Sequence, residues 1–203
     1  MPPYKTELAG VPQVCFKVPT GGGKTFLAAN SIKPIFDSMP HIHPKAVVWL
    51  VPSDAILTQT YRTLTDKNHD YRKKIDVDFG NKVEIYSKQQ LLNGQNFNPT
   101  SVSDNLSVFV LSYDSFRTSK KDGRKAYQEN GSLLPFVRFK QDSGSLLEDT
   151  DETALIQVIR KLNPVVIVDE SHHATSKLSK EMLQNFNPSF CLLYTSDAAD
   201  DKA

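Results

Sequence analysis

Two kinds of apolar pattern alternate along this chain. Unbroken apolar runs rich in β-branched residues occur at 46–52 (AVVWLVP), 106–113 (LSVFVLSY) and 165–170 (VVIVDE). Shorter runs lie at 13–18 (QVCFKV), 82–86 (KVEIY) and 190–195 (FCLLYT). A strand covered on both faces reads this way, with no polar alternation. Between the runs the spacing becomes helical. In KTFLAANSIKPIFDSM, residues Phe26, Leu27, Ile32, Ile35 and Phe36 fall near a 3.6-residue period, with Pro34 expected to kink the last turns. Ser53 can cap a helix over DAILTQTYRTLTD. Thr150 or Asp151 can start another over ETALIQVIRKLN, which Pro164 stops, and KLSKEMLQNF reads as a last helix. Alternating strands and helices predict an α/β fold with a mostly parallel sheet between two helical layers. Such folds bind ligands beyond the carboxyl ends of their strands. Residues 119–150 break the rhythm. They are polar, hold Gly123, Gly131, Gly144 and the run SKKDGRK, and read as an insertion in which LLPFVRF (133–139) is one packed piece.

Composition narrows the class. A chain of 203 residues, 39% hydrophobic and 23% charged, suits one soluble globular domain. A net charge of +1 gives no global basic field, so any nucleic-acid contact must be local or made by backbone groups. No apolar run nears the roughly 20 residues of a membrane span, and the start, MPPYKTELAG, lacks the apolar core of a secretory signal. Cys15 and Cys191 both fall in strand-like runs, where buried, reduced thiols are expected, in keeping with a cytoplasmic setting.

Candidate chemistry begins at VPTGGGKT, residues 18–25. A loop that grips phosphate needs glycines, so that backbone N–H groups can curl toward an anion, and a helix starting at once behind them. It also needs a lysine for the β- and γ-phosphates and a hydroxyl for magnesium. Thr20, Gly21, Gly22, Gly23, Lys24 and Thr25 supply these between a predicted strand and a predicted helix. The full pattern places a glycine where this chain has Val18. The competing reading is a glycine turn with a chance Gly-Lys-Thr. A second acidic motif, VVIVDESHH, fits the first: Asp169 would hold magnesium and Glu170 would orient the attacking water. The competing reading there is a solvated strand end. ATP and Mg²⁺ are therefore the expected cofactors. Adjacent His172 and His173 make a poor pair for one metal ion, and His41 and His43 share a Pro-flanked loop that reads as solvated.

Together these residues resemble superfamily 2 helicases of the DExH type. PTGGGKT resembles motif I, VVWLVPSDAILTQTYRTL motif Ia and its helix, VLSYDSFR the motif Ib region, and DESHH motif II. The triple glycine after Val-Pro, with Asp-Glu-Ser-His-His, is most similar to the Res branch, which includes the motor subunit of type III restriction enzymes. The resemblance covers about residues 12–193 and implies a three-layer RecA-like P-loop NTPase lobe. It implies an ATP hydrolase acting as a helicase or translocase on DNA. It assigns His172 to coupling the nucleotide to the rest of the motor. It places Pro52, Ser53, Ser112 and Tyr113 where such proteins touch the nucleic-acid backbone. Lys120, Lys121, Arg124 and Lys125 form a basic cluster that could add to this contact, or a solvated loop.

A motor of this family has a second lobe that contributes an arginine to the transition state, and the restriction enzymes add a modification (methyltransferase) subunit. The expectation is that residues 1–190 are the first lobe only, part of a longer gene, binding Mg-ATP and hydrolysing it poorly. The end, SDAADDKA, resembles translated sequencing-adapter readthrough, so residues 191–203 are expected to be a non-native or disordered tail. Two other function classes stay open on the residues: a P-loop enzyme such as a small-molecule kinase, and an inert nucleotide-binding fragment. The Asp-Glu-x-His form argues against the kinase, which needs no histidine there.

Overall fold

A computed structural model describes residues 8, 10–19, 21–116, 124–139, 145–169 and 177–195, the side chains of 177–179 excepted. Six strands form one sheet in the order β1-β6-β5-β2-β4-β3, every neighbouring pair parallel. They are β1 (Gln13–Lys17), β2 (Ala46–Val51), β3 (Val83–Ser87), β4 (Leu106–Ser112), β5 (Val165–Val168) and β6 (Phe190–Thr195). Parallel pairing requires each strand to be followed by a crossover, so all carboxyl ends lie along one edge. The expected α/β fold with its parallel sheet is what forms.

The unbroken apolar runs are explained by two cores, one on each side of the sheet. In β2, Val47, Trp49 and Val51 face one core while Ala46, Val48 and Leu50 face the other. The first core is filled by α1 (Lys24–Ser38), α2 (Asp54–Thr65) and α3 (Asp70–Asp78), through Ile32, Phe36, Leu64 and Ile75. The second is filled by α4 (Lys88–Leu92), α5 (Pro99–Asp104), α6 (Leu155–Lys161) and α7 (Lys177–Asn185), through Leu91, Val102, Leu155, Ile159 and Phe186. Each fully buried Val, Leu or Ile contributes about 1.5–3 kcal/mol. Two short 3₁₀ turns, η1 (Tyr113–Phe116) and η2 (Gly131–Phe136), join the second core. LLPFVRF is thus packed as expected, by Leu133 and Phe136.

Helix α1 holds Pro34 and runs to Ser38, as the apolar spacing predicts. Other expectations shift. The helix expected over 152–163 forms only over Leu155–Lys161, because Asp151 Oδ1 accepts from the N–H of Thr153 and closes a turn first. Helices α3, α4 and α5 have no counterpart in the apolar pattern, being short and mostly polar. Cys191 is buried, but Cys15 is exposed. β1 is an edge strand, paired only with β6, and four of its five side chains are at least partly open. Residues 190–195 form β6, the last strand expected of FCLLYT, and pair with β1 and β5. Residues 196–203 lie outside the described residues. Among the described residues no helix is long and apolar enough to cross a membrane.

Arg72 joins three elements of the first layer. Its guanidinium donates to the carbonyls of Leu64 and Val83 at 3.1 and 3.0 Å and to Asp76 at 2.9 Å, with the residue only 6% exposed. Removing it withdraws donors from two buried carbonyls and leaves a carboxylate unpaired. Arg72→Leu is therefore expected to cost about 3 kcal/mol, read as a lower urea midpoint at unchanged slope.

Candidate functional site

The candidate site forms where β1 ends. Gly21 and Gly23 take φ of +76° and +78°, a left-handed geometry that costs other residues energy. The Gly22 N–H donates to the carbonyl of Pro19 at 2.8 Å, closing the loop, and that of Leu27 donates to Gly23 at 2.9 Å, starting α1. A Cβ on Gly22 would lie 2.9 Å from both the Pro19 carbonyl oxygen and Val18 Cγ1. Val18 is 6% exposed and packs into the first core. The missing glycine at 18 thus becomes intelligible: its valine fills the space beneath the loop, and Gly22 must then be bare.

Lys24 and Thr25, in the first turn of α1, line a small cavity with Ala28, Trp49, Ile167, Asp169 and Tyr194. The loop strand β1 and the acid-bearing strand β5 are separated by β6, two strand spacings or about 10 Å apart. The structure therefore brings Lys24, Thr25 and Asp169 together across a long stretch of sequence. The cavity holds about 10 Å³, room for about one water, so a nucleotide's phosphates would occupy its mouth. An ammonium, a hydroxyl and a carboxylate around one opening form a donor set that fits magnesium and phosphate. The curled glycine loop fits the same pair, being bare where a phosphate would approach.

Backbone bonds fix Asp169. Its N–H donates to the carbonyl of Leu50 at 2.9 Å, and its carbonyl accepts from the Tyr113 hydroxyl at 3.4 Å. Tyr194 is the residue that the motifs alone did not single out. Its hydroxyl lies 3.4 Å from Ser31 Oγ and its ring stacks on Phe16. Burial pushes its phenol up from the ordinary value; the Ser31 bond offsets part of this, and the charge of Asp169 adds to it. Tyr194 therefore stays neutral beside the cavity. Trp49 was legible only as a strand residue; the alternation of β2 turns it toward α1 and the cavity.

The remaining candidates divide. Thr20, Glu170, His172 and His173 lie outside the described residues, as do Lys120 and Lys121. Ser53 is exposed and caps α2, accepting from the Ile56 N–H at 3.4 Å, with Pro52 half-buried beside it. Ser112 and Tyr113 are 6% and 4% exposed, because the chain turns inward at η1 after β4. Their side chains face the interior. Arg124 and Lys125 are exposed.

The site yields two expected outcomes. Gly22→Ala keeps the fold but displaces the loop, lowering nucleotide affinity about tenfold or more by analogy with loss of charge-assisted hydrogen bonds; fluorescence titration with a labelled ATP measures it. Trp49 is the sole tryptophan and is 2% exposed, so its emission should change when Mg-nucleotide binds, and in Gly22→Ala the same change should need about tenfold more nucleotide.

A search of curated proteins finds no match to this chain. A family model described as "Type III restriction enzyme, res subunit" matches residues 6–196. That span holds both the glycine loop and the acidic strand, and the chain belongs to this family of type III restriction enzyme res subunits.

Proposed function

We propose that this chain is the nucleotide-gripping lobe of an ATP-driven motor that translocates on DNA, as in the restriction subunit of type III restriction–modification enzymes. Membership of the res-subunit family supports a helicase-like ATPase motor domain. The observation that carries the residue assignments is the convergence of Lys24, Thr25 and Asp169 on one opening at the carboxyl edge of the sheet. A loop and a carboxylate two strand spacings apart can grip the two sides of one Mg-phosphate group.

Each residue then has a role. The N–H groups of Gly21, Gly22 and Gly23, with Thr20, cradle the phosphates, and the N-terminus of α1 adds its dipole. Lys24 pairs with the β- and γ-phosphates. Thr25 and Asp169 hold magnesium, which when bound neutralises charge on the transferred phosphoryl group. Glu170 orients the attacking water, and His172 relays the state of the site. Pro52 and Ser53 touch the nucleic-acid backbone, a contact that carries no sequence information, as a motor requires. A second lobe supplies the arginine, worth roughly 10³- to 10⁵-fold in rate, and a methyltransferase subunit is the partner in the whole enzyme. The setting is cytoplasmic.

Lys24→Ala tests this reading. It should weaken Mg-ATP binding by about tenfold or more, the worth of a lost charge-assisted bond, with the fold intact by circular dichroism. The 203-residue chain itself should bind Mg-ATP yet show little DNA-stimulated turnover in a steady-state assay. Unchanged binding in Lys24→Ala would sink the reading. Release of bound nucleotide by a small acceptor, and not by DNA, would turn it toward a kinase.

A further inference from the structure

We propose that Tyr113 is a positioning residue that ties nucleic-acid contact at the carboxyl edge to the holding of magnesium by Asp169. The inference rests on the reading of the site given above and concerns how its two halves communicate.

Both main-chain polar atoms of Asp169 are held by the strands that lead to the candidate nucleic-acid contacts. Its N–H donates to Leu50 at 2.9 Å, and Leu50 lies in β2, two residues before Pro52. Its carbonyl accepts from the Tyr113 hydroxyl at 3.4 Å, and Tyr113 is the first residue after β4. A displacement of either strand end reaches the Asp169 peptide directly, with no chain of intermediates.

The same short turn also touches the far side of the acidic motif. Phe116, the last residue of η1, meets the ring of Phe186 edge-on at 4.8 Å and 87°. Phe186 follows α7, which begins at Lys177, after the acidic motif in sequence. Across the junction of β4 and η1, Ser112 Oγ and Ser115 Oγ lie 3.2 Å apart in the interior and hold the corner together. One four-residue turn thus contacts the segments on both sides of the motif that carries Asp169, Glu170 and His172.

The hydroxyl of Tyr113 is what packing alone does not require. The residue is 4% exposed and sits among apolar neighbours of the second core, where a phenylalanine would fill almost the same volume. At 3.4 Å the bond to Asp169 is well beyond the usual 2.7–2.8 Å of an O–H···O contact. It is therefore poised: a shift of a few tenths of an ångström toward β5 strengthens it and one away breaks it. Contact of a DNA strand with the exposed β2 end supplies such a shift, which reaches the Asp169 peptide through Leu50. The Asp169 peptide follows, and its carboxylate moves relative to Thr25 across the opening.

Tyr113→Phe removes only the oxygen, and the chain itself serves for the test. A fluorescent N-methylanthraniloyl ATP is titrated with Mg²⁺ and with EDTA, each with and without a mixed-sequence DNA strand. In the wild-type chain DNA should change the Mg-dependent Kd by about fivefold or more, within the usual span of coupling between two sites. In Tyr113→Phe the DNA effect should fall below about twofold, the bond being worth about a factor of five, while affinity in EDTA matches wild type. Phe116→Leu, which loosens η1 from Phe186 and keeps the hydroxyl, should also shrink the DNA effect. A wild-type DNA effect retained in Tyr113→Phe overturns the proposal, as does a wild-type chain with no DNA effect or an equal loss of affinity in EDTA. Lys24→Ala separates the two ideas: if it leaves nucleotide binding unchanged, the site reading fails, whereas its loss beside an unaltered Tyr113→Phe sinks only the coupling.

Discussion

The double pairing of β5, with β2 on one side and β6 on the other, is the constraint from which the site follows. Val165–Val168 align with Val47–Leu50 and with Phe190–Leu193, so β5 cannot slip without breaking two ladders. A slip of one residue would also exchange its two buried faces. That register delivers Asp169 to the carboxyl edge and seats its N–H on Leu50. Because β6 stands between β5 and β1, the acid and the glycine loop are held about 10 Å apart. The opening between them is set by sheet geometry.

Backbone economy at the loop is the second theme. The positive φ of Gly21 and Gly23 and the close approach at Gly22 are different demands met by the same residue type. The first two concern conformation. The third concerns space, because Val18 and Pro19 occupy the volume that a Cβ would need. The valine that departs from the family pattern is therefore part of the packing that supports the loop, linking the first core directly to the glycine turn.

The carboxyl edge is uneven in what it presents. At β2 the chain turns outward and leaves Ser53 exposed; at β4 it turns inward and buries Ser112 and Tyr113. Two strand ends with similar sequences of small and polar residues thus take different parts. One offers a surface, and the other reaches beneath it to the acidic strand.

By itself the sequence determined the six strands, their parallel arrangement and the two candidate phosphate motifs. Those features are written locally: both-face burial imposes continuous apolar runs, and a phosphate loop imposes Gly21–Lys24 between a strand and a helix. Helices α3, α4 and α5 were not legible, since they are short and polar, α4 and α5 being held by the caps Ser87 and Asn98 and α3 by its own Arg72. The exposure of Cys15 was not legible either, because an apolar strand does not say whether it lies at the sheet's centre or its edge. Tertiary structure alone decided that Trp49 and Tyr194 line the cavity and that Tyr113 reaches Asp169. The reason is physical: strand order joins residues that are remote along the chain, and local sequence carries periodicity and backbone preference but not the identity of the strand next door.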